Sequence, residues 1–275
     1  MGTSSLYGGP KKTVLLPDGY NPEEEPIECI PAEGKPDGET PEESEPNEAP
    51  TQPQQPSASW GTVRRNMTTA LNNRIRRNVK KAINSYAKAL GGHKNATRQA
   101  TTVKKTATRL ISFFSGTPED IRVRFEEAGI SFEGRATKDI FNDISGLLAP
   151  VPNDLEDSLA NKALRDTIAE LAADDSIDLG QLDSFNEALL QRLVGGLVKH
   201  YIFDKLIQQS GQSALKNCDN TAQLLNLEKE IKKYIDGIVD LVISDLVHTG
   251  ISQSDFDSAV EAIFDTAYQQ MEDLR

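Results

Sequence analysis

The sequence has few of the residues that build common catalytic and metal sites. Its 275 residues include three histidines (His93, His200 and His248) and two cysteines (Cys29 and Cys218). The histidines lie in unrelated contexts, and the motifs of zinc proteases, serine hydrolases, P-loops, dithiol sites and dinucleotide-binding loops are missing. Two cysteines in such different contexts are typical of unpaired thiols in a reducing compartment. We therefore predict a protein without catalytic residues, a metal site or a cofactor.

Long apolar runs are missing as well. No run of 18 apolar residues occurs, and the first residues lack the apolar core of a secretory signal. We therefore expect a cytoplasmic protein with no membrane contact. Aromatic residues make up only 6% of the chain, which predicts that part of it remains unpacked.

Charge is strongly segregated along the chain. Residues 18–59 carry twelve acids and one base, Lys35, whereas residues 60–112 carry thirteen lysines and arginines and no acid. Residues 113–275 carry thirty acids and fourteen bases. Blocks of one sign indicate interactions with oppositely charged partners. We predict four regions: an N-terminal peptide (1–17), an acidic segment (18–59), a basic section (60–116) and an acidic helical domain (117–275).

The acidic segment is predicted to be a disordered tether. Proline recurs every three to five residues from Pro17 to Pro56, with Glu, Asp, Gln, Ser and Thr in between. Each proline fixes φ and removes a hydrogen-bond donor, so neither helix nor sheet can propagate. A fully extended polyproline-II segment of this length would span about 130 Å. The N-terminal peptide is therefore expected to reach well away from the rest of the chain.

The remainder of the chain predicts an all-α fold, because apolar residues recur at helical spacing and no run alternates as a strand would. A first helix is predicted from Trp60 to Leu90, with Ser59 as its cap and Gly91-Gly92 as its stop. It would form a helical hairpin with a second helix over 95–114. Further helices are predicted at 117–129, 136–148, 153–173 (capped by Asn153), 181–210 (interrupted by Gly195-Gly196 at a close helix contact), 219–249 and, after a cap at Ser254, near the end of the chain.

The basic section carries a candidate phosphate-binding site. Only Trp60 and Tyr86 lie among its cations, which argues against stacking on single-stranded nucleic acid. Two interpretations stay open: the cations contact the phosphates of a nucleic acid, or they pair with acids of this chain or of a partner. The cations concerned are Arg64, Arg65, Arg74, Arg76, Arg77, Lys80 and Lys81.

The N-terminal peptide is the other candidate site. Gly2 is small enough for removal of Met1, which leaves an unhindered α-amine with a pKa of roughly 7.7–8.0. A fraction of that amine is neutral and nucleophilic near pH 7. The residues that follow add hydroxyls, two apolar anchors and a turn, in the order Thr3, Ser4, Ser5, Leu6, Tyr7, Gly8, Gly9 and Pro10. We predict that Gly2 is a modification site and that these residues bind a partner.

Two stretches resemble a known family. The run from Met1 to Pro10 (MGTSSLYGGP) before a proline-rich segment, and the basic helix that leads to Gly91-Gly92 and ATRQA (96–100), resemble the QatB component of the Qat anti-phage defence system. The resemblance implies an operon with an ATPase, a TatD-like nuclease and QatC, a QueC-like enzyme similar to 7-cyano-7-deazaguanine synthase. It further implies that the QueC-like enzyme binds this chain and attaches a deazaguanine to Gly2. The expected function is that of a non-enzymatic defence component, and the alternative is a nucleic-acid-binding adaptor.

Overall fold

The computed structural model describes residues 56–72, 76–131, 133–174, 176–177, 186–211, 221–249 and 256–275. Within these ranges the chain forms ten α-helices and no strand, which confirms the predicted all-α fold. None of these helices is long and apolar enough to cross a membrane. Both cysteines, the N-terminal peptide and nearly all of the acidic segment lie outside these ranges. The helices are α1 (Trp60–Asn72), α2 (Arg76–Ala89), α3 (His93–Gln99), α4 (Thr101–Phe114), α5 (Pro118–Glu127), α6 (Thr137–Leu148), α7 (Leu155–Ala172), α8 (Glu187–Leu206), α9 (Thr221–Thr249) and α10 (Phe256–Asp273).

Side-chain caps lie at four of the described helix starts, at Ser59, Thr117, Asp154 and Asn186. Ser59 Oγ accepts from the Thr62 amide at 3.2 Å, as predicted for the start of α1. Thr117 caps α5 in a capping box and is followed by a proline at the first helical position. Helix α7 differs from its prediction, because Asp154 and not Asn153 accepts from the amide three residues on, at 2.7 Å. A carboxylate suits this position because its charge interacts favourably with the helix dipole.

The prediction of one helix from Trp60 to Leu90 is wrong, because α1 ends at Asn72 and α2 begins at Arg76. Asn66 Nδ2 donates to the carbonyl oxygen of Lys81 at 3.4 Å, so the two helices run side by side in opposite directions. A single helix of this length would extend about 46 Å. Two shorter helices instead bring both apolar faces into one core. The first helical pair is therefore α1 with α2, and the predicted second helix is divided into α3 and α4 at Ala100.

Helix α2 ends at the predicted glycines. The Gly92 amide donates to the Ala87 carbonyl and the Gly91 amide to the Lys88 carbonyl, both at 3.2 Å, which is the Schellman arrangement. Gly91 has φ of 92°, a value that a residue with a side chain rarely adopts. These two bonds satisfy carbonyls at the end of α2 and turn the chain into α3.

Helix α8 packs closely on α7 through a glycine. A Cβ built on Gly196 would lie 2.6 Å from Cγ2 of Thr167, so only glycine permits this approach. The predicted close contact is confirmed. The predicted interruption is wrong, because α8 continues through both glycines and ends in a π-turn at Ile207–Gly211.

One hydrophobic core runs through the described helices, from Val63 in α1 to Met271 in α10. Helix α10 packs against α2, α3, α4 and α9, and α4 also packs against α7 and α8. The sequence predicts that five residues of the last helix face inward. Val260, Ile263, Phe264 and Ala267 are buried, and Phe256 is partly buried against the core, whereas the predicted cap Ser254 lies outside the described ranges. Helices from the basic section and from the acidic helical domain thus contribute to the same core.

Candidate functional site

The predicted phosphate-binding residues that the structure describes lie on α1 and α2. All of them are exposed except Lys80, which is half-buried. Arg74 and the predicted partner-binding residues Gly2 to Pro10 lie outside the described ranges. We use the name basic surface for the six described cations: Arg64, Arg65, Arg76, Arg77, Lys80 and Lys81.

The basic surface stands on a firmly packed helix pair. The rings of Trp60 and Tyr86 meet edge to face, with centroids 6.1 Å apart. Asn84 donates from Nδ2 to the carbonyl oxygen of Leu274 at 3.1 Å and also contacts the Glu272 carbonyl. These contacts fix α2 to the C-terminal end of the chain, so the cations are held on a rigid scaffold.

No described acid neutralises the basic surface. Helices α1 and α2 contain no acidic residue, and none of the six cations makes an ion pair with an acid in the described ranges. Arg76 and Glu230 line one groove of about 330 Å³ between this helix pair and α9, yet they form no ion pair. The surface therefore carries a concentrated positive charge that is available to an anionic partner.

Acids of α10 pair instead with α3 and α4. Lys104 Nζ lies 2.6 Å from Glu261 Oε2, and His93 Nδ1 lies 3.0 Å from Asp265 Oδ1. The Thr108 hydroxyl donates to a third carboxylate of α10, that of Asp257, at 2.7 Å. Pairing between the basic section and the acidic helical domain therefore occurs at α3 and α4, away from the basic surface.

A buried polar cluster joins α7 and α8. The Lys205 ammonium is buried and lies 2.7 Å from Glu156 Oε1, and it donates to the Tyr201 hydroxyl at 2.9 Å. That hydroxyl in turn donates to Glu156 Oε2 at 2.5 Å. Burial first, and then the neighbouring Tyr268 and Glu156, raise the pKa of Tyr201 above its usual range. The hydroxyl therefore stays protonated and acts as a donor to the carboxylate.

Two further tyrosines extend this cluster toward α2 and α10. The hydroxyls of Tyr86 and Tyr268 are fully buried and have no hydrogen-bond partner among the described residues. Burial raises the pKa of both, and the Glu156 carboxylate adds to the effect. Sequence reasoning missed this cluster, although Leu197, Tyr201 and Lys205 follow one another at four-residue steps on the apolar face of α8. A lysine on the apolar face of a helix indicates a buried partner for its charge, and Lys205 was the signal from which this cluster could have been predicted.

A polar cleft of about 390 Å³ lies between α7, α8 and α9, with Gly195 and Gly196 in its wall. Ion pairs cross it: Lys199 Nζ lies 2.6 Å from an Asp240 oxygen, and His200 Nε2 lies 3.0 Å from a Glu170 oxygen. Asp236 also lines the cleft, and its Oδ1 is buried without a hydrogen-bond partner among the described residues. Burial raises the pKa of this carboxyl in spite of the nearby Lys199 and Lys232. In the described ranges, no group of three His, Cys, Asp or Glu residues is placed to hold a metal ion.

Comparison with known proteins identifies the family. A family model described as Qat anti-phage system associated protein QatB matches residues 91–271, about two thirds of the chain. The chain belongs to the QatB family. No curated protein and no solved structure matches it. The resemblance seen in the sequence is thereby confirmed, and the chain is a component of an anti-phage defence system in which other Qat components are its partners.

The QatB match covers only some of the candidate sites. It begins at Gly91, two residues after the end of α2, and continues almost to the end of α10. The polar cleft and the Glu156–Tyr201–Lys205 cluster lie within it. The N-terminal peptide and the basic surface precede it. Membership of the QatB family therefore rests on the helical body and is independent of both predicted sites.

Proposed function

We propose that this QatB family member is a non-enzymatic, cytoplasmic defence component whose N-terminal peptide is a substrate. The partner is a QueC-like enzyme, which binds Thr3 to Pro10 and attaches a deazaguanine to the Gly2 amine. The observation that carries the proposal is the arrangement of the sequence: a small N-terminal peptide with a glycine amine precedes a proline-rich acidic segment, and the first described helix, α1, begins at Trp60. Family membership supports the defence context.

The proposed reaction requires only one group from this chain, an accessible α-amine. Removal of Met1 exposes the Gly2 amine, whose lone pair attacks the carbonyl carbon of an activated deazaguanine carboxylate held by the partner. An amide bond forms, the activating group leaves with its electron pair, and the amine loses a proton. An extended peptide of nine residues reaches about 30 Å, enough to enter a deep active site. Binding of the body to the enzyme raises the effective concentration of the peptide toward the millimolar range.

Variants at the N-terminus test this proposal. Gly2→Trp retains Met1, so the free α-amine then belongs to methionine and no glycine amine is exposed, and the modification should disappear. Lys12→Arg removes a lysine amine from the same peptide and is the matched control, which should be modified as fully as the wild type. Intact mass after co-expression with the QueC-like enzyme measures both. Far-ultraviolet circular dichroism should show the same helical content in all three proteins.

Two results would reject the Gly2 proposal. One is full modification of Gly2→Trp, and the other is loss of modification in Lys12→Arg. The first would show that Gly2 is not required, and the second would indicate a lysine side chain as the acceptor. Retention of full anti-phage protection by Gly2→Trp would show that the reaction has no part in defence.

A second candidate function is nucleic-acid binding, which the unneutralised basic surface favours. If its six cations contact phosphates of duplex DNA, a plot of log affinity against log salt should have a slope of about −5. Arg77→Glu with Lys81→Glu should weaken binding. The loss of two phosphate contacts should also make the slope less negative by about 2. The matched control is Lys105→Glu with Arg109→Glu, an exposed pair at the same spacing on α4. No binding at low salt, or equal losses in both double variants, would exclude this role for the surface.

A further inference from the structure

We infer that the basic surface is the docking site of the chain's own acidic segment (residues 18–59). The contact is ionic and needs no fold in the segment. It would hold the N-terminal peptide near the body and cover the cations until a partner displaces it. The inference does not depend on the modification of Gly2.

The first observation is the state of the cations. Five of the six side chains are exposed, and none makes an ion pair with an acid in the described ranges. The α10 acids Glu261 and Asp265 pair with α3 and α4 instead. No described acid of the helical domain forms an ion pair with the basic surface, and these two pair with other helices. The acidic segment is the other internal source of carboxylates.

The second observation is charge complementarity. The acidic segment carries twelve carboxylates and one lysine, and four of the six cations are arginines. The arginine guanidinium binds carboxylates through two parallel hydrogen bonds. It therefore suits a partner with many carboxylates that can exchange with one another at the same arginine. The frequent prolines predict an extended polyproline-II bias, in which the carboxylates would be accessible along the segment.

The third observation is where the segment ends. Its last acid, Glu48, lies twelve residues before Trp60, where α1 begins. Twelve extended residues span about 40 Å, whereas α1 and α2 are each about 20 Å long. The acids can therefore reach the whole basic surface without strain. Because the segment is tethered, its effective concentration is in the millimolar range, so even contacts of millimolar affinity would be substantially populated.

A paramagnetic label on the segment tests the inference in the full chain. Cys29 lies within the acidic segment and takes a nitroxide once Cys218→Ser has removed the second thiol. We expect selective broadening of the amide NMR signals of α1 and α2 at 0.05 M salt. The broadening should disappear at 1 M salt, where the Debye length is about 3 Å. It should also disappear in Arg77→Glu with Lys81→Glu and persist in the control Lys105→Glu with Arg109→Glu.

A second variant leaves the helices untouched. Changing Glu42, Glu43 and Glu45 to Gln removes three carboxylates from the segment, so it should reduce the broadening and increase the affinity of the full chain for duplex DNA. Absence of broadening in α1 and α2 at low salt would overturn the inference. So would broadening that survives both the charge reversal and the Gln substitutions. DNA affinity that is unchanged by the Gln substitutions would show that the segment does not occupy the surface. Intact mass reports on Gly2 separately, so the two proposals can fail independently.

Discussion

At the scale of single residues, the energetics of the polar cleft depend on the partly buried carboxyl of Asp236. Asp236 and Asp240 lie one turn apart on α9. Asp240 is largely exposed and is paired with Lys199, whereas Oδ1 of Asp236 is buried and has no hydrogen-bond partner among the described residues. Burial raises the pKa of Asp236. Its ionisation therefore opposes folding at neutral pH.

Asp236→Asn should stabilise the fold at neutral pH. The gain should be up to about 1 kcal/mol, at the low end for an unsatisfied buried polar group, because the side chain is only partly buried. It should be complete above the folded-state pKa and vanish below the unfolded value of about 3.9, where the carboxyl is protonated in both states. Urea unfolding at pH 7 and pH 3 measures this dependence.

The matched control for this prediction is Asp240→Asn. Its carboxylate is exposed and ion-paired, so removal of the charge should change stability by no more than about 0.5 kcal/mol in the destabilising direction. A loss of stability in Asp236→Asn at pH 7, or a gain that is equal at both pH values, would show that the charge of Asp236 does not destabilise the folded state.

At the scale of helices, two adjacent glycines of α8 have different neighbours. Gly196 faces Thr167 of α7, and Gly195 faces Ile243 of α9. A Cβ on Gly196 would lie 2.6 Å from Thr167 Cγ2, whereas a Cβ on Gly195 would lie 3.6 Å from Ile243 Cγ1, an ordinary contact. Thr167 cannot easily rotate away, because it is buried and its hydroxyl donates to the Ala163 carbonyl at 2.7 Å.

Gly196→Ala should destabilise the protein by about 1–3 kcal/mol through overpacking. Gly195→Ala should be neutral or stabilising by up to about 1 kcal/mol, since alanine favours the helix. Thr167→Ser removes Cγ2 and keeps the hydroxyl, so it should restore most of the stability lost in Gly196→Ala. Guanidinium unfolding of the three variants measures this. Equal effects at both glycines, or no rescue by serine, would contradict the proposed contact.

The helices also show what the sequence can predict. Capping residues and helical periodicity located most helix ends, as at Ser59, Thr117 and Gly91-Gly92, because these signals act locally. The break between Asn72 and Arg76 was missed because no proline or glycine lies there. Its only local signal is the Asn72-Asn73 pair, which has a low helix propensity. The break follows from packing of α1 and α2 on a shared core, which is a tertiary effect.

At the scale of the whole molecule, the predicted interaction sites and the family match are separated along the chain. The family match begins at residue 91 and both predicted interaction sites precede it, whereas the described core begins earlier, at Val63 in α1. Sequence reasoning located the exposed cations because charge segregation is visible in composition. It missed the Glu156–Tyr201–Lys205 cluster, because a contact between α7 and α8 places residues 45 positions apart within hydrogen-bond distance.

This separation predicts that the body and the N-terminal peptide serve different steps. The helical body would bind the other Qat components and bring the peptide to the QueC-like enzyme. The basic surface, which lies between the N-terminal peptide and the matched region in the sequence, would bind an anionic segment or partner. In this proposal the reaction at the Gly2 amine is the main step, since the other two roles prepare or follow it.

The most direct test is fragment-ion mass spectrometry of the N-terminal peptide from wild-type protein co-expressed with the QueC-like enzyme and the other Qat components. We predict loss of Met1 and a single added deazaguanine mass on the Gly2 α-amine, which is absent when the QueC-like enzyme is omitted. Retained Met1, an unmodified Gly2, or the added mass on Lys11 or Lys12 would contradict it.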